Sequence, residues 1–205
     1  MRQEFKFFGH VSELRTMLSV KNAWAQHPPR VINSVYFDDR NLSDFLDSEE
    51  GSVPRKKIRF RWYGLDKFSL RDKKGSLEIK YTFDNYRDKT VLPVNKKNPN
   101  SILSIAKTQT GIDVHPVTYV KYNRDYFVDA KGVRYTIDSN IYYGRVNFKL
   151  NVISLCKARV SILEAKMPIE MDFEKGFSSF AHKRTRYSKY CQSVHAVHQD
   201  LLRKV

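Results

Sequence analysis

The chain has 205 residues, with 37 Lys and Arg against 22 Asp and Glu for a net charge of +15, so the default partner is a polyanion. Its length suits a single domain over residues 1–205, and 41% hydrophobic with 13% aromatic content excludes intrinsic disorder despite a mean hydropathy of −0.56. Two cysteines, Cys156 and Cys191, are too few for a disulfide framework and read as reduced thiols of a cytoplasmic protein, with no signal-like start and no stretch approaching the ~18 apolar residues of a membrane span.

Several segments share a style in which one strand parity is charged and the other apolar. Residues 2–8 set Arg2, Glu4 and Lys6 against Phe5 and Phe7 and read as a strand. Residues 11–24 place Val11, Leu14 and Leu18 at helical spacing, closed by Pro28 and Pro29 before a strand over 31–37 and a helical turn with Leu42, Phe45 and Leu46. Alternation is complete over 55–63, with Lys57, Arg59, Arg61 and Tyr63 opposing Ile58, Phe60 and Trp62. Residues 76–81 repeat it with Glu78 and Lys80, and 89–94 read as the partner strand. A helix is expected over 98–111, then a hairpin of 117–128 and 133–143 carrying Arg124 and Arg134, then a last strand over 160–166 with Glu164 and Lys166. Helical segments at 173–180 and 190–202 flank the basic run His182, Lys183, Arg184, Arg186 and Lys189. About eight strands with few helices predict a mostly antiparallel α+β domain, with a closed barrel as its expected form.

In an ordinary sheet the charged parity faces water. Here it consists of Arg and Lys at two-residue spacing with solitary carboxylates. If that parity lined the inside of a barrel, guanidinium groups roughly 6.6 Å apart along a strand would grip successive phosphates of a linear chain. Carboxylates such as Glu164, Glu4 and Glu78 would hold Mg²⁺ or Mn²⁺ against phosphate oxygens.

The segments Tyr36-Phe37-Asp38, Ile58 to Gly64, Leu77-Glu78-Ile79-Lys80, Tyr122-Asn123-Arg124, Arg134 to Asp138, Ile162 to Lys166 and Arg186 to Tyr190 occur in an order that resembles the VTC domain, the polyphosphate polymerase domain of the vacuolar transporter chaperone complex. The resemblance implies a triphosphate tunnel metalloenzyme (CYTH-like) fold, an eight-stranded antiparallel closed barrel with flanking helices. It implies transfer of the γ-phosphate of ATP onto a growing inorganic polyphosphate chain. By motif it assigns catalytic phosphate contacts to Arg59, Arg61, Lys80, Arg124, Arg134 and Lys189, further substrate contacts to Lys6, Lys89, Arg186, Glu4 and Glu78, and Mn²⁺ or Mg²⁺ to Glu164.

Hydrolytic members of that superfamily open with Glu-x-Glu-x-Lys, whereas this chain has Arg2-x-Glu4-x-Lys6, which disfavours two-metal chemistry. Lys166 two residues after Glu164 resembles the polymerase branch, and Arg186 stands where that branch tends to show lysine. The regulatory domain and membrane helices of the eukaryotic complexes are not found in this sequence, so a stand-alone bacterial module is expected, with a separate membrane partner conceivable and the oligomeric state open.

Competing functions are a tunnel-type triphosphatase or nucleotide hydrolase, and a non-catalytic polyphosphate binder. Nucleic-acid stacking is not expected, because Phe60 and Trp62 alternate with Arg59 and Arg61 rather than sharing their face. Cys191, His195 and His198 have helix-compatible spacing for zinc but no evident fourth ligand, and read as packing residues.

Overall fold

The computed structural model describes residues 2–64, 74–84, 86–94, 99–147, 149, 151–171 and 177–198. The chain forms two compact units, Met1–Val31 with Tyr122–Ile141 and Lys157–Tyr187, and Ile32–Lys121 with Tyr142–Cys156 and Ser188–Val205. In chain order the elements are β1 (Arg2–Gly9), α1 (Val11–Val20), β2 (Trp24–Asp38), α2 (Ser43–Glu50), β3 (Arg55–Tyr63), β4 (Gly75–Thr82), β5 (Arg87–Val94), α3 (Pro99–Thr110), β6 (His115–Val128), β7 (Arg134–Val146), β8 (Val152–Lys157) and β9 (Ser161–Pro168), then a 3-10 helix (Ser178–Lys183) and α4 (Lys189–Val197). The hydrogen-bonded order is β1-β9-β7-β6-β2-β3-β4-β5, with β8 on β7. It is an open path, with no ladder between β1 and β5 among the described residues.

In the first unit β1 and β7 both pair antiparallel with β9. The register stacks Phe5, Ala165 and Tyr135 in one row and Phe7, Leu163 and Ile137 in another, all on one face. Leu14, Met17 and Leu18 of α1 close over these rows with Phe177, whose ring stacks on Phe7 at 5.4 Å. The spacing of those three α1 residues gives the helix its single apolar stripe. Lys6, Glu164 and Thr136 occupy the opposite face.

The second unit repeats the rule. β2, β3, β4 and β5 pair antiparallel in sequence, aligning Val35, Phe60, Leu77 and Leu92, and beside them Phe37, Ile58 and Ile79. These pack with Ile102 and Ala106 of α3 and with Tyr119 in one core. The apolar parity is therefore the core side in both units, and each charged parity lies on the other face of its strands.

The mostly antiparallel α+β expectation holds, with three differences. The strand expected at 31–37 starts at Trp24 and passes through Pro28 and Pro29, while α1 stops at Val20. Both prolines precede Ile32, where the β3 ladder begins, so their missing N–H groups cost that ladder nothing. β8 is a ninth strand, with no charge over residues 152–156. Gly144 of β7 admits it, since a Cβ there would lie 2.7 Å from Val152 Cγ1 and 3.0 Å from the Ser154 carbonyl oxygen. Residues 178–183 are 3-10 rather than α, and the expected helical positions 173–176 and 199–202 lie outside the described residues. Among the described residues no helix is long and apolar enough to cross a membrane.

Phe60 is 1% exposed at the centre of its core. Phe60→Ala should lower stability by about 3–5 kcal/mol, read as a shift of the urea midpoint. A loss under ~1 kcal/mol would place the packed side of β3 elsewhere.

Candidate functional site

The basic face of the second unit is organised around Glu78, 5% exposed on β4. Arg59 of β3, its register neighbour, donates to Glu78 Oε2 through Nε at 2.8 Å and Nη2 at 2.5 Å. Arg61 Nη1 lies 3.5 Å and Lys89 Nζ 3.2 Å from Oε1. Burial pushes the Glu78 carboxyl up, but Arg59 and Arg61 outweigh it and hold the group below the usual carboxylate range. One carboxylate thus fixes three cations and neutralises one of them. Arg59 Nη1 also donates to Tyr36 Oη at 3.3 Å, and the same arginine draws that phenol below its ordinary pKa against the upward push of burial.

The next row of the same face aligns Lys57, Lys80 and Lys89 across β3, β4 and β5. Like charges directly opposite one another disfavour a sheet, so this row suits an anionic ligand. Lys57 Nζ donates to Ser188 Oγ at 3.0 Å, and Ser188 accepts from the Cys191 amide at 3.4 Å, capping α4 one residue before Lys189. Arg61 Nε and Ser34 Oγ, opposite each other in register, are buried without a hydrogen-bond partner.

The corresponding face of the first unit mixes acids and bases. Lys6, Glu164 and Thr136 share one row, and Glu4, Lys166 and Arg134 the next. Lys166 Nζ lies 2.8 Å from Glu164 Oε1 and 4.0 Å from Glu4 Oε2. Lys6 Nζ lies 3.3 Å from Glu4 Oε1 and donates to the Tyr187 carbonyl at 3.0 Å. Arg124 donates to both oxygens of the fully buried Asp138, at 2.6 and 2.7 Å, a fork that fixes the plane of its guanidinium. Thr136 Oγ1, beside Glu164 in register, is buried without a partner.

Among the expected site residues, Arg59, Arg61, Lys80, Lys89 and Glu78 share the second unit's face, whereas Lys6, Glu4, Glu164, Arg124 and Arg134 belong to the first unit's strands. Arg134 and Arg186 are exposed, and Lys189 begins α4. The sequence reading left out Asp138, the counter-ion of Arg124, and Lys57, although Lys57 lies on the basic parity of β3. Cys191 is buried and His198 Nε2 donates to the Val117 carbonyl at 2.7 Å, as packing residues would, whereas His195 is exposed and donates through Nε2 to Glu49 at 2.7 Å.

No group of three or more His, Cys, Asp or Glu gathers to hold a metal among the described residues. Glu164 and Glu4, on neighbouring strands, nevertheless offer the hard carboxylate oxygens that fit Mg²⁺ or Mn²⁺, because such ions need only one or two protein carboxylates. Burial pushes Glu164 up, but Lys166, Lys6 and Arg124 bring it down to about 2, so the oxygens stay ionised.

That depression has a sign in stability. The Glu164 contribution is complete above its ordinary pKa of 4.5 and is lost as pH falls through about 2. Glu164→Gln should therefore flatten the acid limb of a stability-versus-pH curve across that window, measured by urea unfolding at stepped pH, with little change in its slope above pH 5.

The family model of the VTC domain matches residues 6–198. None of the curated proteins compared with the chain matches it. Three solved structures are similar across nearly the whole chain. PH1819 from Pyrococcus horikoshii OT3 has a TM-score of 0.57 at 12% identity, covering 96% of this chain and 99% of its own. HpAC1 from Hippeastrum, described as a putative adenylyl cyclase with a dominant triphosphatase activity, has 0.58 at 10%, covering 95% and 96%. A putative adenylate cyclase from Vibrio parahaemolyticus has 0.54 at 10%, covering 94% and 97%. At these identities the likeness is one of fold. With the family model running from residue 6 to residue 198, over nearly the whole chain, this chain belongs to the VTC domain family.

Proposed function

We propose that the protein is an ATP-dependent polyphosphate polymerase, which transfers the γ-phosphate of ATP to the end of an inorganic polyphosphate chain and releases ADP. The observation that carries this reading is the basic face of β3, β4 and β5, where buried Glu78 holds Arg59, Arg61 and Lys89 beside the row of Lys57, Lys80 and Lys89. The closed eight-stranded barrel of the family resemblance, a single catalytic domain over 1–205 and a cytoplasmic setting belong to the same proposal.

In this reading Arg59, Arg61, Lys80 and Lys89 grip the phosphate chain, Arg for paired contacts and Lys as point charges. Lys189, Lys6, Arg124, Arg134 and Arg186 add further phosphate contacts. Glu164 with Glu4 would hold Mn²⁺ or Mg²⁺, which would supply positive charge to offset that of the phosphates. The attacking phosphate oxygen is already ionised at neutral pH, so the chain needs no general base, and the work of its residues is to align the chain and neutralise its charge. Triphosphate hydrolysis is the second reading, supported by the fold shared with HpAC1.

Purified protein incubated with ATP and Mn²⁺, with and without a short polyphosphate primer, separates the two. ADP matched by chain growth is expected, and orthophosphate with little polymer would move the assignment to hydrolase. Arg59→Ala should lower kcat/KM by at least ~100-fold, the scale for losing one preorganised charge contact. Glu164→Gln should remove metal-dependent turnover and largely spare polyphosphate binding, and activity surviving that change would exclude Glu164 as the metal ligand.

A further inference from the structure

β8 pairs with β7 and with no other strand among the described residues, and positions 153–157 are all exposed. Ile153 is 59% and Leu155 41% exposed. A strand edge offers unpaired N–H and C=O groups to any other strand, and folded proteins protect such edges with charge or proline. The strands that end the hydrogen-bonded order carry that protection, Glu4 and Lys6 on β1, and Arg87, Asp88, Lys89 and Pro93 on β5. β8 reads Val-Ile-Ser-Leu-Cys before Lys157, with no charge and no proline over 152–156. In a chain with 29% charged residues, the least protected edge is also the most apolar one.

The segment is self-complementary about Ser154. Two copies laid antiparallel across a two-fold axis at that residue set Ile153 against the partner subunit's Leu155. Val152 then meets the partner subunit's Cys156, and Lys157 meets the partner subunit's Asn151. Each apolar side chain meets another on the same face, and lysine does not oppose lysine. A slip of one residue puts Ser154 against leucine and ruins the match. We propose that β8 is a self-association edge, through which a second copy of this chain pairs antiparallel about Ser154 and extends the sheet by main-chain hydrogen bonds. An isologous contact of this kind closes at two copies. The inference is independent of the catalytic reading.

Two measurements test it. Sedimentation of the wild type should show a concentration-dependent rise from 24.2 kDa to twice that mass. Ile153→Lys should remain monomeric with an unchanged thermal melt, because that side chain is mostly in solvent. The second measurement reads the register. Ser154→Cys in a Cys156→Ser background places two thiols directly across the axis, within disulfide reach, and should cross-link on mild oxidation. The wild type, whose Cys156 would face Val152, should not, and adding Ile153→Lys to the Ser154→Cys variant should suppress the link. A monomer at every concentration, cross-linking through wild-type Cys156, or a Ser154→Cys cross-link that Ile153→Lys leaves unchanged would each overturn the proposal.

Discussion

A carboxylate buried among cations is the interaction on which the second unit depends. Glu78 loses its hydration on β4, a cost that Arg59, Arg61 and Lys89 offset only because all three reach it. Without that carboxylate the two guanidinium groups and the lysine would repel one another across one face. With it, they are set in place before any ligand arrives, one carboxylate standing against three cations. The apolar parity of the same strands supplies the core, so one alternating pattern provides both the stability and the binding face.

The first unit uses the same device with a different balance. Its face sets Lys6, Lys166, Arg124 and Arg134 against Glu4, Glu164 and Asp138, close to neutral. Asp138 accepts from Arg124 through both oxygens, whereas Glu164 and Glu4 share Lys166. A nearly balanced face suits a metal with its phosphates, and an excess of cations suits a bare phosphate chain. The proposed polymerase needs both chemistries, which gives a reason for the contrast.

Much of this was legible in the sequence because alternation is a strong signal. Arg59, Arg61, Ile58, Phe60 and Trp62 announce both faces of β3, and the helical spacing of Leu14 and Leu18 announces α1. What escaped depended on partners distant in sequence. Asp138 looks like any strand carboxylate until the register brings Arg124 to it. Pro28 and Pro29 read as a break, because only the ladder shows that β3 does not reach them. β8 escaped because it has no charge over residues 152–156, the same property that leaves its edge open. Whether the sheet closes depends on strand ends that no local pattern specifies.

The central claim is that the charged face of β3, β4 and β5 exists to hold a phosphate chain. Thermal melting of the wild type and of an Arg59→Ala/Arg61→Ala double variant, each titrated with tripolyphosphate, tests it without reference to turnover. A ligand that binds the folded state alone raises its melting temperature with concentration. The wild type should therefore gain well beyond the effect of sodium chloride at equal ionic strength, and the double variant should lose most of that gain. Equal gains in both proteins, or none in the wild type, would contradict the account.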